Sequence, residues 1–74
     1  MKILITGSTG GIGHWTVQRF LEAGHSLRAL DIPAQPHRDD YEYIAGDVRD
    51  LTAMRRAIQG VEAVVHLAAI PFDM

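Results

Sequence analysis

The octet Thr6-Gly7-Ser8-Thr9-Gly10-Gly11-Ile12-Gly13 restricts what this chain can fold into more than any other stretch of it. A short apolar, β-branched run at residues 2–6 leads into it, and residues 12–23, with helical spacing, lead out. Glycines at such a junction predict a tight strand-to-helix turn. The first position needs a residue without Cβ because φ turns positive there. A second glycine lets a ligand reach the backbone, and a third lets the helix lie close to the strand. The helix start then presents free N–H groups at the positive end of the helix dipole, which is the chemistry of a pyrophosphate site. Ser8 and Thr9 are further candidate donors. A loop that merely turns the chain is the plain alternative, but a strand before and a helix after are the context that a dinucleotide-binding turn requires. No Gly-Lys-Ser/Thr follows the glycines, which excludes a kinase-type phosphate loop.

The rest of the chain continues the alternation. In the first helix Ile12, Trp15, Thr16, Phe20 and Leu21 are expected to face one way, with Trp15 and Phe20 in the core and Gly24 as the stop. Leu27 to Leu30 read as a second strand closed by Asp31, and residues 32–40, with Pro33 and Pro36, as a loop. Tyr41 to Ile44 form a third strand. Asp50 reads as the N-cap of a helix over residues 51–59, whose buried stripe is Leu51, Met54 and Ile58 and whose stop is Gly60. Val61 to Leu67 make a fourth strand. The order β-α-β-loop-β-α-β predicts an α/β fold with a parallel sheet and right-handed crossovers.

Composition narrows the function classes. Seventy-four residues allow one small domain, and 47% apolar residues allow it a core. The absence of cysteine excludes disulfides and thiolate metal sites and fits a cytoplasmic setting. His14, His25 and His37 lack metal-ligand spacing, so no metal is expected. A net charge of −2 argues against nucleic acid and anionic membrane, and no apolar stretch approaches the ~20 residues of a bilayer span.

Asp31 closes the second strand about 20 residues beyond the turn. A carboxylate there can accept from both hydroxyls of an adenine ribose, with Ile32 beside it, and it repels a 2′-phosphate, which favours NAD over NADP. Arg28 and Arg38 keep NADP open, since a guanidinium pairs well with that phosphate.

With these residues in place the chain resembles the N-terminal half of a short-chain dehydrogenase/reductase. Gly7, Gly10 and Gly13 match the Thr-Gly-x-x-Gly-x-x-Gly of the extended subfamily, the NAD-dependent epimerases and dehydratases. Gly7, Gly11 and Gly13 match the classical Thr-Gly-x-x-x-Gly-x-Gly equally well. His66-Leu67-Ala68-Ala69, closing the fourth strand, is typical of extended members and decides between them. The resemblance implies a Rossmann-type sheet of four strands in the order 3-2-1-4 with a helix on each face. It implies that Gly7, Thr9, Gly10, Gly11, Ile12 and Gly13 hold the phosphates and that Asp47 and Val48 hold the adenine. It also implies that Leu67, Ala68 and Ala69 let the cofactor lie against the backbone. His66 has no catalytic role in the family.

The family's chemistry rests on a Tyr-x-x-x-Lys pair, and this chain does not contain one. Its single lysine is Lys2, Tyr41 is followed four positions on by Ala45, and Tyr43 by Asp47. Residues 1–74 are therefore expected to be the dinucleotide-binding part of an NAD-dependent sugar or sugar-nucleotide epimerase, dehydratase or dehydrogenase, inactive alone. The alternatives are a non-catalytic dinucleotide-binding or protein-interaction module, and an engineered or proteolytic fragment; the end just past a strand, at residues 70–74, suits truncation. Two thin helical layers leave sheet uncovered and a fourth strand at an edge, so self-association is expected.

Overall fold

The computed structural model describes residues 1–35 and 39–67. Six elements follow in the order β1 (Lys2–Thr6), α1 (Gly11–Glu22), β2 (Ser26–Asp31), β3 (Glu42–Ala45), α2 (Leu51–Ala57) and β4 (Ala63–His66). The four strands form one parallel sheet in the order β3-β2-β1-β4. This is the expected Rossmann-type topology.

β1 lies at the centre because it is apolar on both faces. Ile3 and Ile5 meet α1 through Val17, with Leu27 and the half-buried Phe20, Leu21, Ala63, Val65 and Leu67 around them. Leu4, on the other face, meets α2 through Ala57, with Leu30, Ile44, Ala53 and Met54. Period-two alternation along β1 thus feeds two separate cores, one under each helix.

Helix ends follow their chemistry. α2 is capped by Asp50, whose carboxylate accepts from the N–H groups of Thr52 at 2.9 Å and Ala53 at 3.4 Å. α1 closes with the paired bonds of a Schellman motif, Gly24 N–H to the Leu21 carbonyl and His25 N–H to that of Phe20.

The helix faces correct the sequence reading. Trp15 is 63% exposed and Ile12 72%, while the buried residues of α1 are Gly13 and Val17. At 100° per residue, Trp15 lies nearly opposite the line through Gly13, Val17 and Phe20. Its ring carries the Arg19 guanidinium, 5.5 Å from the centroid. α2 shows the same inversion: Leu51 and Ile58 are exposed, Met54 is half-buried, and Ala57 is the buried contact. Both helices make their fully buried contacts with small residues, Gly13 and Val17 or Ala57, while Phe20, Leu21 and Met54 pack beside them half-buried and Trp15, Leu51 and Ile58 point away.

Candidate functional site

All four strands end on one edge of the sheet. There the ladders run on past the strands: Gly7 N–H bonds the Leu30 carbonyl at 2.9 Å, Gly46 N–H that of Asp31 at 2.8 Å, and Leu67 N–H that of Thr6 at 2.9 Å. These bonds pin the first residue after each of β1, β3 and β4. Open α/β sheets bind ligands at this carboxyl edge, where the strand order reverses between β1 and its two neighbours.

The glycine turn divides its work. Gly7 has φ 77°, a conformation in which a side chain is strained. At Gly13 an added Cβ would stand 2.2 Å from the Gly7 carbonyl oxygen and 2.7–2.8 Å from Ser8 backbone atoms, so the helix-to-turn approach requires hydrogen there. Gly10 and Gly11 are different, with open space where a Cβ would project. The two glycines shared by both family spacings are those the backbone demands, which is why the turn alone fits either.

Gly10 is the N-cap of α1 and offers no side-chain bond to the helix's first turn, where no acidic residue stands either. Helix geometry leaves the N–H groups of Gly11, Ile12 and Gly13 without intrahelical acceptors. α2 satisfies the second and third of the equivalent groups, Thr52 and Ala53 N–H, with Asp50; α1 leaves its own facing a groove of about 290 Å³ lined by Gly7, Gly10, Gly11, Ile12, Gly13 and Leu67. Ile12, expected among the residues that hold the phosphates, forms a wall of that groove.

Asp31 stands beside the turn, held to it by two hydrogen bonds from Thr9, with a third from its own neighbour Ile32. Its Oδ2 accepts from Thr9 N–H at 3.0 Å and from the Thr9 hydroxyl at 2.6 Å, and its Oδ1 accepts from Ile32 N–H at 2.8 Å. Partial burial pushes the carboxyl up, but the Thr9 and Ile32 donors outweigh it and hold the group below its ordinary value, ionised at neutral pH. The Tyr43 hydroxyl donates to the carbonyls of Asp31, at 3.2 Å, and of Pro33, bracing the loop that follows. Burial first, then the Asp31 charge, push the Tyr43 phenol up. Nothing in its sequence position announced this brace; it depends on the register that places Tyr43 opposite Ala29.

Asp47 is enclosed by Arg49, whose backbone N–H donates to Oδ1 at 2.9 Å while its guanidinium bridges both carboxylate oxygens at 2.6–3.1 Å. These bonds bring its pKa down to about 2. Val48, expected beside an adenine, packs in part on the core under α2. His66 pairs with its register neighbour: its Nδ1 is 2.6 Å from the Thr6 hydroxyl oxygen, a structural tie between β4 and β1.

Arg28 is withdrawn from any 2′-phosphate. Its guanidinium donates to the carbonyls of Ala57 and Gln59, both at 2.7 Å, and to Glu42 at 3.3 Å, and it lies on the α2 face of β2, three residues before Asp31. Arg38, Ala68 and Ala69 lie outside the described residues. Among the described residues no cluster of His, Asp or Glu is placed to hold a metal ion, and no helix is long and apolar enough to cross a membrane.

Sheet order, glycine turn and open helix terminus together define a Rossmann-type α/β unit. The chain belongs to the NAD-dependent epimerase/dehydratase family, whose model matches residues 3–74. The 3 beta-hydroxysteroid dehydrogenase/Delta 5→4-isomerase of Mycobacterium tuberculosis is 32% identical across 93% of this chain and 19% of its own length. The UDP-glucose 4-epimerase of Corynebacterium glutamicum is 36% identical across 93% of this chain and 22% of its own. Among solved structures, uronate dehydrogenase from Agrobacterium tumefaciens superposes with a TM-score of 0.83 at 27% identity, over 99% of this chain and 28% of that one, and a variant of it is complexed with NAD. The Bordetella bronchiseptica enzyme WbmG, in complex with NAD, gives 0.83 at 32% identity over 99% of this chain and 26% of that one. The chain thus spans between 19% and 28% of the length of these relatives.

Proposed function

We propose that residues 1–74 bind NAD(H) by its adenosine and pyrophosphate, as the dinucleotide-binding part of an NAD-dependent oxidoreductase, epimerase or dehydratase. The observation that carries this reading is the contrast between the two helix starts. α2 has the N–H groups of Thr52 and Ala53 capped by Asp50, whereas α1 leaves Gly11, Ile12 and Gly13 open to a groove where Gly10 and Gly11 leave room for phosphate oxygens. Gly7 and Gly13 shape the turn. Asp31, beside Ile32, takes the ribose hydroxyls. Asp47 and Val48 take the adenine, and Leu67, Ala68 and Ala69 lie along the cofactor. An ionised Asp31 repels a 2′-phosphate, and Arg28, already bound to two carbonyls and Glu42, is in no position to attract one. Both favour NAD over NADP.

Bound NAD supplies a hydride acceptor; this chain's own residues hold and orient the cofactor. Its two tyrosines have no lysine four positions on, and Tyr43 spends its hydroxyl on two carbonyls. A sugar or sugar nucleotide suits the epimerase and uronate dehydrogenase relatives, and a steroid suits the hydroxysteroid dehydrogenase, so the substrate class of the parent activity spans both.

Calorimetric titration of the chain with NAD, ADP-ribose and NADP tests the reading. NAD and ADP-ribose should bind with equal affinity, because the grip is on the shared half, and NADP should bind more weakly. NADP binding tighter than NAD would overturn the role given to Asp31, and no binding of any of the three would overturn the cofactor reading.

A further inference from the structure

Asp31 is already engaged in the free chain, and the count of its bonds has a consequence for ligand binding. A carboxylate offers about four lone-pair positions. Two on Oδ2 are taken by the Thr9 amide and the Thr9 hydroxyl, and one on Oδ1 by the Ile32 amide. One position is left. A vicinal diol that donates both of its hydroxyls needs two, so an internal donor has to withdraw.

The three donors differ in freedom. The Thr9 amide belongs to a turn anchored by the bond from Gly7 N–H to the Leu30 carbonyl. The Ile32 amide follows a residue whose carbonyl is held by Gly46 N–H and by the Tyr43 hydroxyl. Both amides are fixed by the fold. The Thr9 hydroxyl turns about one bond, on a side chain that is only half-buried and so has water to turn toward.

Resting on the adenosine site proposed above, we infer that Thr9 is a built-in competitor for the ribose diol. Its hydroxyl fills the second acceptor position of Asp31 in the free chain and is exchanged for a ribose hydroxyl when the nucleotide binds. The two amides stay in place throughout and keep the plane of the carboxylate. The displaced bond is short and charge-assisted, so breaking it offsets much of what the incoming hydroxyl gains. Thr9, which the family resemblance groups with the phosphate holders, here turns its hydroxyl to Asp31 and does not line the groove at the start of α1, so it sets the affinity for the diol and leaves the phosphate donors of α1 untouched.

The test is calorimetric titration of the full chain, Thr9→Val and Thr9→Ser with two probes: ADP-ribose, and 2′,3′-dideoxyadenosine diphosphate, which has the phosphates but no diol. Thr9→Val keeps both amide bonds and frees one acceptor. It should bind ADP-ribose roughly three- to tenfold more tightly than wild type, bind the dideoxy probe equally well, and leave Thr9→Ser like wild type. Unchanged or weaker ADP-ribose binding by Thr9→Val, with the dideoxy probe still bound, overturns this inference alone. Weaker binding of the dideoxy probe by Thr9→Val overturns it too, because the hydroxyl then serves the phosphates. If no variant binds either probe, the cofactor reading falls and this inference with it. Circular dichroism checks that Thr9→Val is folded, and Thr9→Ala, which also lacks the hydroxyl, replaces it if it is not.

Discussion

Single atoms decide most at the glycine turn. A methyl at position 13 meets backbone, which cannot swing aside, so Gly13→Ala should cost about 3 kcal/mol or more, a large share of the stability of a chain this size. Gly11→Ala meets nothing within 4 Å and should leave stability level or slightly raised, while crowding the phosphates and weakening ADP-ribose binding. Urea denaturation of both variants checks the contrast, and equal destabilisation by the two would refute it. Charge gives a second residue-scale prediction. The Glu42 carboxyl is lowered chiefly by its bond to Lys2, Asp47 to about 2 by Arg49, and Asp31 by Thr9 and Ile32. Groups with depressed folded pKa values stabilise the fold above their unfolded values, near 4, and release that stability as pH falls through the folded ones. The melting temperature should therefore hold between pH 7 and 5 and drop progressively from about pH 4 downward; a midpoint unchanged at pH 2.5 would contradict this. Of these residues the sequence made legible the turn roles of Gly7 and Gly13 and the place of Asp31 at the end of β2, because these follow from spacing. The Thr9 and Tyr43 bonds were not legible, since each joins segments that only the strand register brings together.

Elements were placed well from the sequence and their faces only in part, for one physical reason. Strands and caps are local: β1 ends at its glycine, and Asp50 caps α2 as its position before the helix foretold. Orientation depends on what the helix approaches. Reading a stripe from the largest apolar residues aligns Ile12 and Trp15 with Phe20 and Leu21 in α1, and Leu51 and Ile58 with Met54 in α2. The sheet keeps Phe20, Leu21 and Met54 half-buried but receives Gly13 and Val17 from α1 and Ala57 from α2 most closely, because small residues let a helix come close. A helix of seven residues relies heavily on its cap. Asp50→Ala should destabilise the chain by about 1 kcal/mol, read as a lower urea midpoint at unchanged slope, while Asp50→Ser, which can also cap, should recover most of it. A midpoint indifferent to both substitutions would mean that α2 is held by packing alone.

For the molecule as a whole, the issue is how much of a parallel sheet two helices can cover. Such sheets normally bury both faces. Here α1 shelters β1, β2 and, through Ala63, Val65 and Leu67, one face of β4, while α2 reaches from β3 across to β1 and stops. On the α2 side of β4, Val64 is left 50% exposed, and among the described residues the strand pairs only with β1. An apolar edge strand with one bare face is a template for another strand. A second copy of the chain offers the same edge, and pairing β4 with β4 about a two-fold axis would join the sheets and bring two bare faces side by side. Sedimentation at micromolar concentration should accordingly show dimers or larger species that dissociate on dilution. Val64→Lys places a charge on the bare face without touching either core, and it should shift the equilibrium toward monomer at unchanged helix content. Val17→Lys would be a poor substitute, because Val17 is core and its loss unfolds α1 from the sheet. A wild-type chain that sediments as a folded monomer throughout this range would refute the argument, and would mean that β1, flanked on both sides and filled on both faces, is enough of a centre to hold so thin a sheet alone.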